Sequence, residues 1–394
     1  MTWHFDTLAI HGGQPNDPAT GAINTPVYFT STFGQIEPGV TRGFDYARTN
    51  HPTRKALEET LAALEGARHG VAFASGMAAI NGAIVALLSK GDHVVSTRDL
   101  YGGAWRIFTK LWARFGVEFT FVDTTDPANV AAALRPETKL LWLETPSNPL
   151  LKVTDIATCA AAVRDRGVVT VVDNTFATPC LQRPLELGAD VVLHSTTKYI
   201  NGHSDALGGV VITEREDLHE RLRFFQNAVG AVPGPQDCFL IARGAKTLGL
   251  RVERHCDNAE TIANYLDGLD GIRRVHFPGL ASHPSHDVAR RQMKRFGAVI
   301  AVDLDLDLEG TRRFARSLRL WTLAESLGGV KSLVSHPATM THASVEPEVR
   351  REVGIGDSLV RLSVGLEDPR DLICDLEQAL VAARCGAVRE EAIA

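Results

Sequence analysis

Short apolar runs recur through the first half of the chain, at Gly70–Ala74, Asp92–Thr97, Val117–Val122, Leu140–Glu144, Val168–Asp173, Asp190–His194 and Gly209–Thr213. Each is close to continuous in Val, Leu and Ile, and helical patterns separate most of them. Strands of this kind, apolar on both faces and alternating with helices, predict a mainly parallel sheet covered on both sides, an α/β fold. In such folds ligands gather at the carboxyl ends of strands. Ser75, Tyr101, Asp173 and Lys198 each lie at or just past a predicted strand end, so four segments are expected to converge on one pocket.

Elsewhere the pattern changes character. After Pro52 an amphipathic helix is predicted, with Leu57, Leu61 and Leu64 on one face and Gly66 as its stop. Residues from about Gln236 to Leu269 predict a long helix or a helix pair leading into a second domain. Ala301–Leu308 then alternates strictly, with Val302, Leu304, Leu306 and Leu308 on one side and Asp303, Asp305 and Asp307 on the other. That predicts a half-exposed antiparallel strand whose aspartates face water, and no metal is assigned to them. The first fifty or so residues, rich in Gly, Pro, Thr and Asn, show neither period and read as an extended arm.

Single cores rarely grow past about 250–300 residues, so a chain of 394 is expected to hold two domains. The expected division is an arm over 1–55 that contacts a neighbouring subunit, an α/β domain over 56–250 and a smaller α+β domain over 251–394. A formal net charge of −6, from 41 basic and 47 acidic side chains, leaves no electrostatic footprint for nucleic acid or an anionic membrane. Arg290, Arg291, Lys294 and Arg295 fall at helical spacing and read as a solvated helix face. Six dispersed cysteines with no C-x-x-C pair suit a reducing cytosol. The N-terminus lacks the basic and apolar regions of a leader, and no stretch approaches the roughly 18 apolar residues of a membrane span. A soluble, cytoplasmic protein is expected.

The candidate chemistry centres on Lys198, which closes Ser195-Thr196-Thr197-Lys198-Tyr199. A lysine beside hydroxyls at a strand end suits pyridoxal 5'-phosphate (PLP), whose aldehyde forms a Schiff base with lysine and whose phosphate needs hydroxyls and N–H groups. Asp173, ending another strand, is placed to keep a pyridine nitrogen protonated. Ser75-Gly76-Met77-Ala78 opens a helix whose free N–H groups suit a phosphate, although such a turn alone is more often packing. Tyr101, flanked by Gly102 and Gly103, either stacks on a planar cofactor or packs against the sheet. Arg361 interrupts the apolar strand Leu359–Val364, where a guanidinium is costly unless paired. It either makes a structural ion pair or grips a substrate α-carboxylate with its planar fork. Tyr46 and Arg48, in the arm, are either interface filler or parts of another subunit's site.

Read in order, Tyr46-x-Arg48, Ser75-Gly76-Met77, Tyr101-Gly102-Gly103, Glu144-Thr145-Pro146-Ser147-Asn148-Pro149, Asp173-Asn174-Thr175, Ser195-Thr196-Thr197-Lys198-Tyr199, Glu325-Ser326-Leu327-Gly328 and Arg361-Leu362-Ser363-Val364-Gly365 resemble the cystathionine γ-lyase and γ-synthase family. These are PLP-dependent transsulfuration enzymes of fold type I. The resemblance spans residues from about 7 to 383. It implies a large PLP-binding domain followed by a smaller α+β domain, with Lys198 holding the cofactor and shuttling protons. Asp173 is implied at the pyridine nitrogen and Tyr101 on the ring. Ser75, Gly76, Met77, Thr175, Ser195 and Thr197 are implied around the cofactor, joined by Tyr46 and Arg48 from a neighbouring subunit. Asn148, Ser326 and Arg361 are implied at the substrate carboxylate or the cofactor's O3'. A homotetramer, built as a dimer of dimers with shared active sites, follows from the same likeness.

Within the family, Glu325 looks like the acid of members that act at the γ-carbon, where β-lyases tend to carry an aromatic. Arg106 and Asn227 match positions near the distal end of the substrate, and Tyr46 reaches it as well. Gly103 stands where methionine γ-lyases usually carry cysteine. Asn50-His51 departs from the Gly-Asn pair often seen after the arm arginine. The resemblance therefore implies γ-elimination of L-cystathionine, with Tyr101 as an acid for the leaving thiolate. A phenol with its ordinary pKa of about 10 needs neighbouring cations for that role, Arg48 being the expected one. The alternatives are γ-replacement on an O-acyl-homoserine and a PLP-binding regulator without turnover.

Overall fold

The computed structural model describes residues 3–385, so residues 386–394 of the expected C-terminal domain, and the first two residues, lie outside the described residues. All seven predicted strands form within two residues of their expected bounds: β1 (His69–Phe73), β2 (His93–Thr97), β3 (Glu118–Val122), β4 (Thr138–Glu144), β5 (Val169–Asp173), β6 (Val191–His194) and β7 (Gly209–Thr213). They make one sheet in the order β1-β7-β6-β5-β4-β2-β3. Strand β7 runs antiparallel to both its neighbours, β1 and β6, and the remaining pairs are parallel. The ends of β1, β2, β4, β5 and β6 therefore open on one edge.

The apolar runs are explained by burial on both faces. Val71 and Phe73 pack under the helix Gly76–Leu87, while Ala72 between them packs against Leu57, Leu61 and Leu64 of the helix Pro52–Glu65. That helix ends at Gly66, whose φ of 74° is left-handed and open to glycine at little cost. The segment after Gly234 is a helix pair, Pro235–Ala245 and Leu248–Leu266. No helix among the described residues is long and apolar enough to cross a membrane.

A second sheet has the order β10-β11-β12-β9-β8, from β8 (Ile272–His276), β9 (Val299–Leu304), β10 (Thr322–Leu323), β11 (Leu333–Ser335) and β12 (Leu359–Ser363). Here the predicted alternation overran the strand. β9 stops at Leu304, and Asp307 caps the helix Leu308–Ser317 by accepting a 2.7 Å hydrogen bond from Gly310 N. An N-cap aspartate followed by leucine continues the two-residue rhythm past the strand's end, so the pattern alone does not mark the boundary. Nor is β9 half-exposed, since only Asp303 of its six residues is not fully buried. Asp303 pairs with His276 and Asp305 with Arg273.

Two smaller expectations also change. The arm carries a helix, Phe5–His11, that buries Ala9 and brings Gly12 O within 2.6 Å of the Thr60 hydroxyl, so its first part packs on its own chain. At seven residues it is too short to register as a period. Arg290 and Arg291 end the helix His286–Gln292, but Lys294 and Arg295 lie beyond it, and Arg295 pairs with Asp257 and Glu260.

Candidate active site

The shared edge of the sheet is a cavity of about 330 Å³, within the roughly 300–1,000 Å³ range of small-molecule and cofactor sites. Ser75, Gly76, Met77, Tyr101, Asn148, Asp173, Thr175, Ser195, Thr197, Lys198, Glu325, Ser326 and Arg361 all line it. The four strand-end segments thus converge as expected, and Arg361 reaches in from the second sheet. The remaining expected residues do not line it. Tyr46, Arg48 and Asn227 form a cluster elsewhere, with the Arg48 guanidinium donating to Asn227 O at 2.5 Å and Oδ1 at 3.0 Å and lying 5.6 Å from the Tyr46 ring centre. Arg106 is exposed at the end of the helix Gly102–Arg106.

One end of the cavity suits a phosphate. Ser75 caps the helix Gly76–Leu87, its Oγ accepting Ala78 N at 3.1 Å, and the helix N-terminus abuts Ser195. A Cβ on Gly76 would stand 2.8 Å from the Ser195 Cβ, so glycine is what permits this approach. Thr175 organises two groups at once: its N–H donates to Asp173 Oδ1 at 3.0 Å and its Oγ1 accepts Ser195 N at 2.9 Å. The Thr197 hydroxyl donates to Gly208 O at 3.2 Å, which ties the lysine loop to β7.

The floor carries two buried carboxyls. Burial and the nearby Asp173 hold the Glu144 carboxyl well above its ordinary range. Burial also raises Asp173, but the Thr175 hydrogen bonds and the charge of His194 oppose that. Both are buried, but the Thr175 hydrogen bonds favour the ionised form of Asp173, and its charge in turn favours a protonated Glu144. Among the described residues Asp173 has no salt-bridge partner, and a protonated ring nitrogen is the kind of cation that fits it. Glu144 lies in the sequence motif Glu144–Pro149, which by itself points to no role for it. Both its oxygens accept the Tyr101 N–H, at 3.0 and 2.9 Å. The signal available was its place at the end of β4, matching that of Asp173 at the end of β5.

Tyr101 packs over Gly103, where a Cβ would lie 2.4 Å from its ring and 2.9 Å from Met77 Sδ. Burial pushes its phenol upward, and the cation that opposes this most is Arg106. The expectation that Arg48 does so is not met within this chain, because Arg48 is engaged with Asn227.

The Lys198 amine donates to Ser326 Oγ at 2.9 Å, and burial, with Arg361 adding, pushes its pKa down to about 8. Arg361 is 2 % exposed. It donates to Asn148 Oδ1 at 2.8 Å and Ser326 O at 3.0 Å, while its Nε has no partner. The structural ion pair considered for it is absent among the described residues. A buried guanidinium held only by neutral acceptors, with donors to spare, fits an anionic ligand. A nucleophilic amine, an uncompensated carboxylate and a helix N-terminus in one cavity together match what PLP requires.

Known proteins agree with this reading. A family model described as Cys/Met metabolism PLP-dependent enzyme matches residues 6–381. A cystathionine β-lyase from Coxiella burnetii is 51% identical over 379 residues, covering 96% of this chain and 98% of that one. A cystathionine γ-lyase from Bacillus subtilis is 50% identical over 374 residues, covering 95% and 98%. The crystal structure of a cystathionine γ-synthase from Xanthomonas oryzae pv. oryzae in complex with cystathionine superposes with a TM-score of 0.96 at 46% identity, over 98% of this chain and 100% of that one.

Proposed function

The chain belongs to the Cys/Met metabolism PLP-dependent enzymes, and from that membership we propose that it is a cystathionine γ-lyase, converting L-cystathionine to L-cysteine, 2-oxobutanoate and ammonia. PLP is the cofactor of this family, and when bound it supplies an electron sink beside the substrate amine. Lys198 holds its aldehyde and moves protons at the substrate's α- and β-carbons. Asp173 keeps the ring nitrogen protonated, and the N-terminus of the helix Gly76–Leu87, with Ser195 and Thr197, holds the phosphate. Arg361, set by Asn148 and by Ser326 O, takes the α-carboxylate. Tyr101 delivers a proton to the departing γ-sulfur.

The observation that carries this reading is Arg361, a fully buried cation that has no carboxylate partner among the described residues and opens into the same cavity as Lys198. Glu325 on the cavity wall supports action at the γ-carbon, where its carboxylate can meet the distal ammonium of cystathionine. Tyr46, Arg48 and Asn227 are proposed to complete a neighbouring subunit's site in a tetramer. The likeness to a γ-synthase favours a second reading, γ-replacement on an O-acyl-L-homoserine with cysteine. Purified holoenzyme given L-cystathionine distinguishes them. Release of cysteine and 2-oxobutanoate is expected. Turnover only with O-acyl-homoserine plus cysteine overturns the lyase reading, and pyruvate plus homocysteine would move the enzyme to the β-lyases.

A further inference from the structure

His342 lies in the irregular segment between β11 and the helix Pro347–Val353, and only 2 % of it is exposed. It does not line the cavity, although Thr341 beside it does. Its Nε2 stands 3.2 Å from Leu100 O and 3.1 Å from Asn148 O, and its Nδ1 2.8 Å from Thr341 Oγ1. Carbonyl oxygens only accept, so Nε2 must carry the hydrogen. In a neutral ring Nδ1 is then the acceptor for the Thr341 hydroxyl. Burial, with Arg361 adding, pushes the His342 pKa down to about 4, which keeps the ring in this neutral form at physiological pH.

The two carbonyls belong to the loops that carry the chemistry. Leu100 precedes Tyr101, and Asn148 is the residue whose side chain holds Arg361. The contact is tightened at Gly102, where a Cβ would lie 2.3 Å from Thr341 O, so the His342 segment rests directly on the Tyr101 loop. We propose that His342 is a positioning residue of the active site: sharing one N–H between Leu100 O and Asn148 O, it fixes Tyr101 and the Asn148–Arg361 pair relative to each other and so governs how tightly an amino-acid α-carboxylate is held. This rests on the reading of Arg361 as the carboxylate grip.

The test uses the holoenzyme and two ligands without a sulfur leaving group, L-alanine and its decarboxylated counterpart ethylamine, titrated through the cofactor's absorbance. Loss of both hydrogen bonds in His342→Leu is expected to weaken L-alanine about tenfold and leave ethylamine unchanged. His342→Gln, whose amide reaches the Nε2 position, is expected to recover most of the loss. If His342→Leu fails to fold, His342→Asn, which stays polar but stops short of the carbonyls, takes its place. In ¹⁵N-histidine-labelled protein, the ring resonances absent from His342→Gln are expected to report the Nε2–H tautomer. Unchanged alanine affinity, equal weakening of both ligands, failure of glutamine to rescue, or the other tautomer would each overturn the proposal. An Arg361→Ala enzyme that still prefers alanine to ethylamine as the wild type does would overturn the reading beneath it. An Arg361 effect with no His342 effect removes the proposal alone.

Discussion

Ser326 joins the two basic side chains of the site: its Oγ accepts the Lys198 amine at 2.9 Å, and its backbone oxygen accepts Arg361 at 3.0 Å. It does so at φ 96°, in the left-handed region that a residue with a Cβ occupies at a cost. Such strain is of the order of 1–3 kcal/mol. Ser326→Gly is therefore expected to stabilise the fold, by up to about 1 kcal/mol, read as a raised urea midpoint. The same variant leaves the Lys198 amine without its partner and loosens the backbone that holds Arg361, so kcat/KM is expected to fall about tenfold. Stability and activity moving in opposite directions is the signature. A loss of both would show that the conformation carries no strain.

The depressed pKa of Lys198 makes a prediction about cofactor capture. Only the neutral amine attacks an aldehyde, and burial beside Arg361 brings its pKa to about 8. Below that value the amine is protonated and unreactive. The rate at which apo-protein recombines covalently with PLP is thus expected to rise with pH around a midpoint near 8. An exposed lysine, with its ordinary pKa of about 10.4, would keep rising beyond that range. Stopped-flow absorbance measures it. Lys198→Ala should give no visible band of lysine-bound cofactor and almost no turnover.

Tyr101 is expected to act as an acid over the whole working range. Burial raises its phenol above the ordinary value, and the opposing charge of Arg106 does not reverse that. The phenol thus stays protonated through the neutral range, and the alkaline limb of the pH–rate profile should belong to another group. Tyr101→Phe keeps the ring over Gly103 and removes the hydroxyl that carries the proton. It is expected to lower kcat on cystathionine by about 10²–10⁴-fold while L-alanine binding, which needs no leaving-group acid, stays near the wild-type value. A parallel loss of alanine binding would assign the phenol to binding instead.

The large sheet was legible in the sequence because burial on both faces leaves unbroken apolar runs, as at Val191–His194, and because Lys198, Asp173 and Tyr101 follow such runs directly. The end of β9 was not, since Asp307 serves as a helix cap while keeping the rhythm of a strand. The role of His342 was not legible for a different reason. Its partners are backbone carbonyls of residues 100 and 148, far away in the chain, and a carbonyl has no residue identity for a pattern to register. Glu144 lies between these cases: its position at a strand end was visible, but its acceptance of the Tyr101 N–H depends on how the next loop folds back. Arg361 stands out in the sequence from its place in an apolar strand, and the choice between its two readings needs the structure, where neutral oxygens of Asn148 and Ser326 hold it and no ion pair forms among the described residues.

Tyr46 and Arg48 are exposed on a segment without helix, and neither lines the cavity of its own chain. If they serve a neighbour's site, each active site draws Lys198 from one subunit and Arg48 from the other. Arg48→Ala and Lys198→Ala are then inactive for different reasons and in different chains. Random co-assembly pairs them in half of the dimers, and each mixed dimer contains one site with both residues intact and one with neither. Unfolding and refolding the two variants together should restore about a quarter of wild-type activity, the symmetry of a shared two-fold site setting that ceiling. Size-exclusion chromatography checks that the mixture has the wild-type assembly. Activity that never rises above that of the separate variants, in a mixture shown to exchange subunits, would place Arg48 in the service of its own chain, through the Asn227 contact at 2.5 Å.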